Sequence, residues 1–184
     1  MMSGAKKKKP TWNDLKRTIG GLDRDALLGL VHDLYAANKE NKAFLHARFG
    51  LGDDVLEPYK ATISRWVCPD VLRNQDYSVS KAKKAISDYK KALGHAEGLA
   101  ELTVFYCESC RDFLGFCGVD DEVYFNALVR MFEQALKWIR QLDSDQQEHY
   151  LERLDSVHYQ AGDWGWGVGD DMDELMAEYG FAEK

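Results

Sequence analysis

The chain has 184 residues, 45% of them apolar and 12% aromatic, enough to bury a substantial core in one compact domain, and this excludes disorder for most of its length. Its net charge of −7 hides a split: residues 1–93 hold 18 Lys and Arg against 11 Asp and Glu, net +7, while residues 94–184 hold 6 against 20, net −14. No uncharged apolar run approaches the roughly 20 residues that cross a bilayer, and the Lys-rich start runs into Pro10-Thr-Trp-Asn13, so the expectation is an unexported protein without a membrane span.

Residues 1–10, with Lys6 to Lys9 in a row, offer nothing to pack and read as a disordered basic arm. Residues 11–184 read as a single helical domain, with residues 68–79 as the place for any division into two lobes. Thr11 with Asp14 three residues on approximates a capping box, and Trp12, Leu15 and Ile19 give a short helix ended by Gly20-Gly21. Asp23 caps the next helix, in which Leu27, Leu30, Val31, Leu34 and Tyr35 recur at helical spacing. Phe44, Leu45 and Phe49 continue the pattern after a break near residues 38–41, so the expectation is a helical hairpin. Asp53 or Asp54 opens another helix, with Pro58 in its first turn and Tyr59, Ile63, Trp66 and Val67 on its apolar face; Cys68-Pro69 ends it. Ser78 or Ser80 caps a helix whose apolar positions Ala82, Ala85, Ile86 and Tyr89 leave Lys83, Lys84, Lys90 and Lys91 outward, the one dense basic surface.

Residues 97–142 read as two long apolar helices joined at Gly118-Val-Asp120. The first places Leu99, Leu102, Phe105, Tyr106, Cys110 and Phe113 at helical spacing and leaves a narrow polar stripe through Glu97, Glu101, Glu108 and Asp112. The second places Tyr124, Leu128, Met131, Ala135, Trp138 and Leu142 inward, with Asn126, Arg130, Glu133 and Lys137 on its wet face. Gly115 or Gly118 would supply a left-handed helix end and Asp120 or Asp121 the next cap. Ser144 then caps a helix to about Gln160, the loop Gly162-Asp-Trp-Gly-Trp-Gly-Val-Gly169 follows, and Asp170 starts a last helix through Tyr179. No stretch alternates as a strand would. The fold class expected is all-α, with eight or nine helices in an antiparallel or superhelical stack around the 97–142 hairpin.

The runs Lys84-Ala-Ile-Ser-Asp-Tyr-Lys-Lys91, Gly98-Leu-Ala-Glu-Leu102, Phe105-Tyr106 and Asp121-Glu-Val-Tyr-Phe125 resemble a bacterial family of all-helical proteins defined by a domain of unknown function, as does the stretch from Leu27 to Phe49. The resemblance covers most of the chain and implies the helical fold. It carries no activity or site.

Several constellations invite a chemical reading. Cys107 and Cys110 stand three residues apart with Cys117 two turns further, a zinc spacing if Cys68 or His95 joins, although buried thiols are ordinary core residues. Without a secretion signal the four cysteines, Cys68 included, are expected to be reduced, in a cytoplasmic compartment. His149/Glu152 and Asp155/His158 each offer two metal ligands, against the simpler reading of a solvated acidic face. No dinucleotide, Walker, esterase or zinc-protease motif is present, so no catalytic residue and no cofactor are expected. The function expected is a non-catalytic accessory module that binds another protein through its acidic C-terminal half, with Trp164 and Trp166 as anchors and Asp170, Asp171 and Asp173 at the rim. The two tryptophans could instead simply plug their loop onto the helices. The alternatives are sequence-independent nucleic-acid binding by Lys83, Lys84, Lys90, Lys91 and the Lys arm, or a metal-dependent enzyme. Nothing in the sequence fixes an oligomeric state.

Overall fold

The computed structural model describes residues 9–181, and among them it contains nine α-helices, one short 3-10 turn and no strand. The all-helical expectation therefore holds. The chain divides into two units, Met1–Lys42 and Ala43–Lys184. Residues 68–79 instead join two helices of the second unit that pack on each other. Of the basic arm, Lys9 and Pro10 are exposed and non-helical, and residues 1–8 lie outside the described residues.

The first unit contains α1 (Trp12–Ile19) and α2 (Arg24–Ala37). Thr11 donates to the Asp14 carboxylate from its backbone N–H at 2.9 Å and from its hydroxyl at 2.7 Å, which fixes the start of α1. Asp23 accepts from the Ala26 N–H at 2.8 Å and caps α2. Asn38 is extended (φ −161°) and accepts from the Asn41 N–H at 2.7 Å, opening α3 (Lys39–Phe49), which runs on into the second unit. Between α2 and α3 stands the single extended residue Asn38, shorter than an αα turn of about 2–5 residues. Leu27, Leu30, Val31 and Leu34 of α2 are exposed, and neither α1 nor α2 has a buried residue.

The second unit holds α4 (Glu57–Val67), the 3-10 turn Val71–Arg73, α5 (Val79–Ala92), α6 (Ala96–Phe116), α7 (Glu122–Ile139), α8 (Ser144–Ala161) and α9 (Val168–Tyr179). Asp54 accepts from the Leu56 N–H at 2.8 Å ahead of α4, and Pro58 falls in that helix's first turn. Asp121 caps α7 through the Val123 N–H at 2.7 Å; Asp143, not Ser144, caps α8 through the Gln146 N–H at 3.0 Å. The α6–α7 reversal needs no left-handed glycine: α6 ends on Cys117 with φ −141°, and neither Gly115 nor Gly118 has positive φ.

Helix α6 is the axis of this unit. It packs against α4, α5, α7 and α8, most extensively against its hairpin partner α7, which in turn carries α9. Leu99, Leu102, Tyr106, Leu128, Phe132 and Leu136 are fully enclosed there. Two details set helix distances. Tyr89 lies across Gly98, where a Cβ would stand 2.0 Å from its hydroxyl oxygen, so α5 and α6 approach as closely as they do only over a glycine. The Tyr124 hydroxyl donates to the Val67 carbonyl at 2.6 Å inside the core, tying α7 to the end of α4.

The polar stripe of α6 departs from expectation. Glu101 and Glu108 are not solvated; they anchor α8 and α4. The Arg153 guanidinium reaches Glu101 at 2.5 Å and Glu108 at 2.6 and 2.9 Å, and Lys60 reaches Glu101 at 2.7 Å. Burial alone would raise the Glu101 carboxyl, but the hydrogen bonds from Arg153 and Lys60 outweigh it and hold the group below its ordinary value. The cluster is neutral, two cations on two carboxylates.

Candidate functional site

Two surfaces of the second unit combine concavity with an unbalanced charge. The first is a groove of about 380 Å³ between α5 and α7, floored by α6. Its apolar wall is Ile86, Leu99, Met131 and Trp138, and its polar lining includes Lys83, Lys90 and Arg130. A smaller hollow of about 200 Å³ is also lined by Lys83 and Arg130 and brings in Asn126.

The four lysines expected to share one outward face of α5 are divided by the structure into two stripes. Lys84 reaches Asp88 at 2.6 Å and Lys91 reaches it at 3.7 Å, so Asp88 partly neutralises that stripe. Lys83 and Lys90, seven residues and two turns apart, line the groove with Ser87 between them. The Lys90 ammonium sits over the Trp138 ring, 5.0 Å from its centre. Burial, then the neighbouring Arg130 guanidinium, pushes the Lys83 ammonium below its ordinary value. No carboxylate pairs with Lys83, Lys90 or Arg130 among the described residues, and the one acid in the lining, Glu133, is engaged by Lys137 and by the Tyr179 hydroxyl at 3.2 Å. Arg130 and Trp138 were not legible as functional residues: Arg130 sits on a polar stripe of α7 with Asn126 and Gln134, and only the packing shows that this stripe faces Lys83 and Lys90.

The second surface is the α8–α9 side. A cavity of about 780 Å³ runs between these helices, lined by Leu151, Asp155, Tyr159, Asp173, Met176 and Phe181 among others. The 162–169 loop borders it through Gly162 and Gly169. Gly169 lies close under the loop, where a Cβ would stand 3.1 Å from the Gly162 backbone. Within the loop the two tryptophans part company. Trp164 is half-buried and packs on the core, whereas Trp166 is 55% exposed. Trp166 also has φ +64°, a left-handed backbone that a bulky side chain occupies only at a cost. Asp170 and Asp171 are exposed in the first turn of α9, and Asp173 meets His158 Nε2 at 2.7 Å. Tyr159 is 88% exposed. From Asp143 to Phe181 the sequence holds eleven Asp and Glu against one cation, Arg153, which the α6 carboxylates already occupy.

The metal readings gain no geometry. Among the described residues no three His, Cys, Asp or Glu side chains are gathered to hold one ion. Cys107 and Cys110 are buried, their thiols pushed up by burial, Cys110 to about 12, and the Cys117 thiol points at the Phe113 carbonyl, 3.5 Å away. His158 pairs with Asp173 rather than Asp155, and the His149 ring stands edge-on to Tyr150. All four cysteines are free thiols.

No protein-family model, curated protein or solved structure matches the chain. The two surfaces above therefore rest on their own chemistry. Among the described residues no helix is long and apolar enough to cross a membrane.

Proposed function

We propose that this protein is a non-catalytic helical binding module of the cytoplasm that takes a basic segment of a partner protein on its α8–α9 side, with Trp166 as the anchor. The observation that carries this reading is the state of Trp166. A left-handed backbone costs an L-residue about 1–2 kcal/mol, and glycine would remove that cost. The ring gains less than full burial in return, since more than half of it faces solvent. A large aromatic held outward at a folding cost is what an interface hot spot looks like before its partner arrives.

The surrounding charge selects the partner's chemistry. Asp155, Asp170, Asp171 and Asp173 ring the loop and groove without lysine or arginine partners, so a cationic segment is steered inward and an acidic one repelled. Leu151, Met176 and Phe181 give the groove an apolar strip for the segment's own apolar residues. Trp164, an expected anchor, belongs instead to the support that holds the loop on the core. The likeness of most of the chain, the stretches 27–49 and 84–125 above all, to a bacterial all-helical family belongs to the same proposal as a matter of scaffold and assigns no residue a role.

Affinity capture from source-cell lysate with wild type, Trp166→Ala and an Asp170→Asn/Asp171→Asn double variant tests the reading. The partner retained by wild type should be Lys/Arg-rich at its contact, released by salt, and reduced about tenfold or more by Trp166→Ala, the scale of a hot-spot loss. Equal retention by all three folded proteins refutes it.

A further inference from the structure

We infer that the α5–α7 groove is a second binding site, for a small phosphate ester whose alcohol part is apolar or aromatic. Three cations converge on one hollow from two helices: Lys83 and Lys90 from α5, Arg130 from α7. Burial and, after it, the neighbouring Arg130 guanidinium make the Lys83 ammonium harder to protonate than usual, so the site gains by taking up a counter-charge. Several cations of the unit do meet carboxylates: Arg153 and Lys60 meet Glu101 and Glu108, Lys137 meets Glu133, and Lys84 and Lys91 meet Asp88. In the groove three cations share one concave site, and no carboxylate pairs with any of them among the described residues.

The lining specifies the ligand. A monoanion would leave most of the positive charge uncompensated, whereas a phosphate monoester brings nearly two negative charges and three acceptor oxygens. Arg130 offers a planar fork, Lys83 and Lys90 two ammonium groups, and Ser87 and Gln134 further donors, a set that exceeds what one carboxylate can accept. Beside these donors stand the half-buried Trp138 ring and the edges of the buried Ile86 and Met131, apolar surface without use for a bare inorganic ion. The volume of about 380 Å³ lies within the range of small-molecule sites, about 300–1,000 Å³.

A nucleic-acid strand fits less well. The stripe that would extend the positive track, Lys84 and Lys91, is engaged by Asp88, and the unit as a whole is strongly acidic, so a long polyanion meets repulsion outside the groove. A compact dianion fits inside the range over which Lys83, Lys90 and Arg130 dominate, about 8 Å at physiological salt.

The test is calorimetric titration of the full chain at low salt with phenyl phosphate, inorganic phosphate, benzoate and polyuridylate. Phenyl phosphate should saturate one site and bind more tightly than inorganic phosphate or benzoate. Arg130→Gln and Lys83→Gln should each weaken it about tenfold or more, as loss of a charge-assisted hydrogen bond does, while Lys84→Gln/Lys91→Gln changes it less than about twofold. Arg130 is exposed, so its variant should keep the wild-type circular dichroism and melting temperature and isolate the binding effect from folding. No saturation at about 1 mM, where even a weak specific site fills, overturns the assignment. So does an equal loss in the Lys84/Lys91 variant, or polyuridylate binding that outcompetes phenyl phosphate. Because Trp166 and the α8–α9 acids are untouched by these variants, partner capture should be unchanged in them, and the two sites stand or fall separately.

Discussion

Replacing Arg153 by Met removes the cation that holds α8 onto α6 while keeping most of its apolar stem. In the wild type the guanidinium makes bonds to Glu101 at 2.5 Å and Glu108 at 2.6 and 2.9 Å, with side-chain exposures of 23% for Arg153, 15% for Glu101 and 20% for Glu108. After the change Glu101 keeps Lys60, but Glu108 becomes a part-buried carboxylate with no cation. Breaking a fully buried pair costs about 3–5 kcal/mol; partial exposure and the surviving Lys60 contact reduce this to about 2–3 kcal/mol at pH 7. The sign with pH follows from Glu101. Its folded-state value lies below the ordinary 4.5, so its contribution is present above pH 4.5 and is lost as pH falls through the folded-state value. The gap between wild type and Arg153→Met, from urea unfolding, should therefore be widest near neutrality and shrink below pH 4.5. Adding Glu108→Gln to Arg153→Met should recover about half of the loss by removing the orphaned charge. A loss under about 1 kcal/mol at pH 7, the worth of an ordinary surface pair, or a gap that widens in acid, would refute the reasoning.

Three further outcomes follow from the packing. Gly98→Ala should destabilise by about 2 kcal/mol in urea unfolding, despite alanine's better helix propensity, because the new methyl meets the buried Tyr89 side chain. Tyr124→Phe should cost about 1–2 kcal/mol by the same measurement, since the Val67 carbonyl is left unpaired in the core. Deleting residues 1–37, which keeps the Asn38 cap of α3, should move the calorimetric melting temperature by less than about 4 °C, since neither α1 nor α2 has a buried residue.

Much of the helical order was readable because apolar spacing and capping residues are local signals. Thr11/Asp14, Asp23, Asp54 and Asp121 act where the sequence placed them, and the 97–142 hairpin is the most heavily packed pair. What failed was non-local. Glu101 and Glu108 form a polar stripe in any helical projection, and only the docking of α8 turns that stripe into an ion cluster around Arg153. Lys83, Lys84, Lys90 and Lys91 project on one side of α5, yet a rotation of one residue separates a groove-lining pair from a pair on Asp88. Leu27, Leu30 and Leu34 have core periodicity, but periodicity says which residues share a face and not whether anything covers it. The Gly165-Trp-Gly167 run pointed to a tight path; which tryptophan would face outward depended on the backbone turning left-handed at Trp166.

The binding claim is tested most directly by placing a photo-crosslinking amino acid at position 166 of the 184-residue chain, with a second protein carrying it at the exposed Leu72 as the comparison. After irradiation in source cells, the peptides attached at 166 are read by mass spectrometry. A recurrent adduct at 166, Lys/Arg-rich and absent at 72, is the result the account predicts. Adducts at 166 that are acidic, or that match those at 72 in identity and yield, would contradict it.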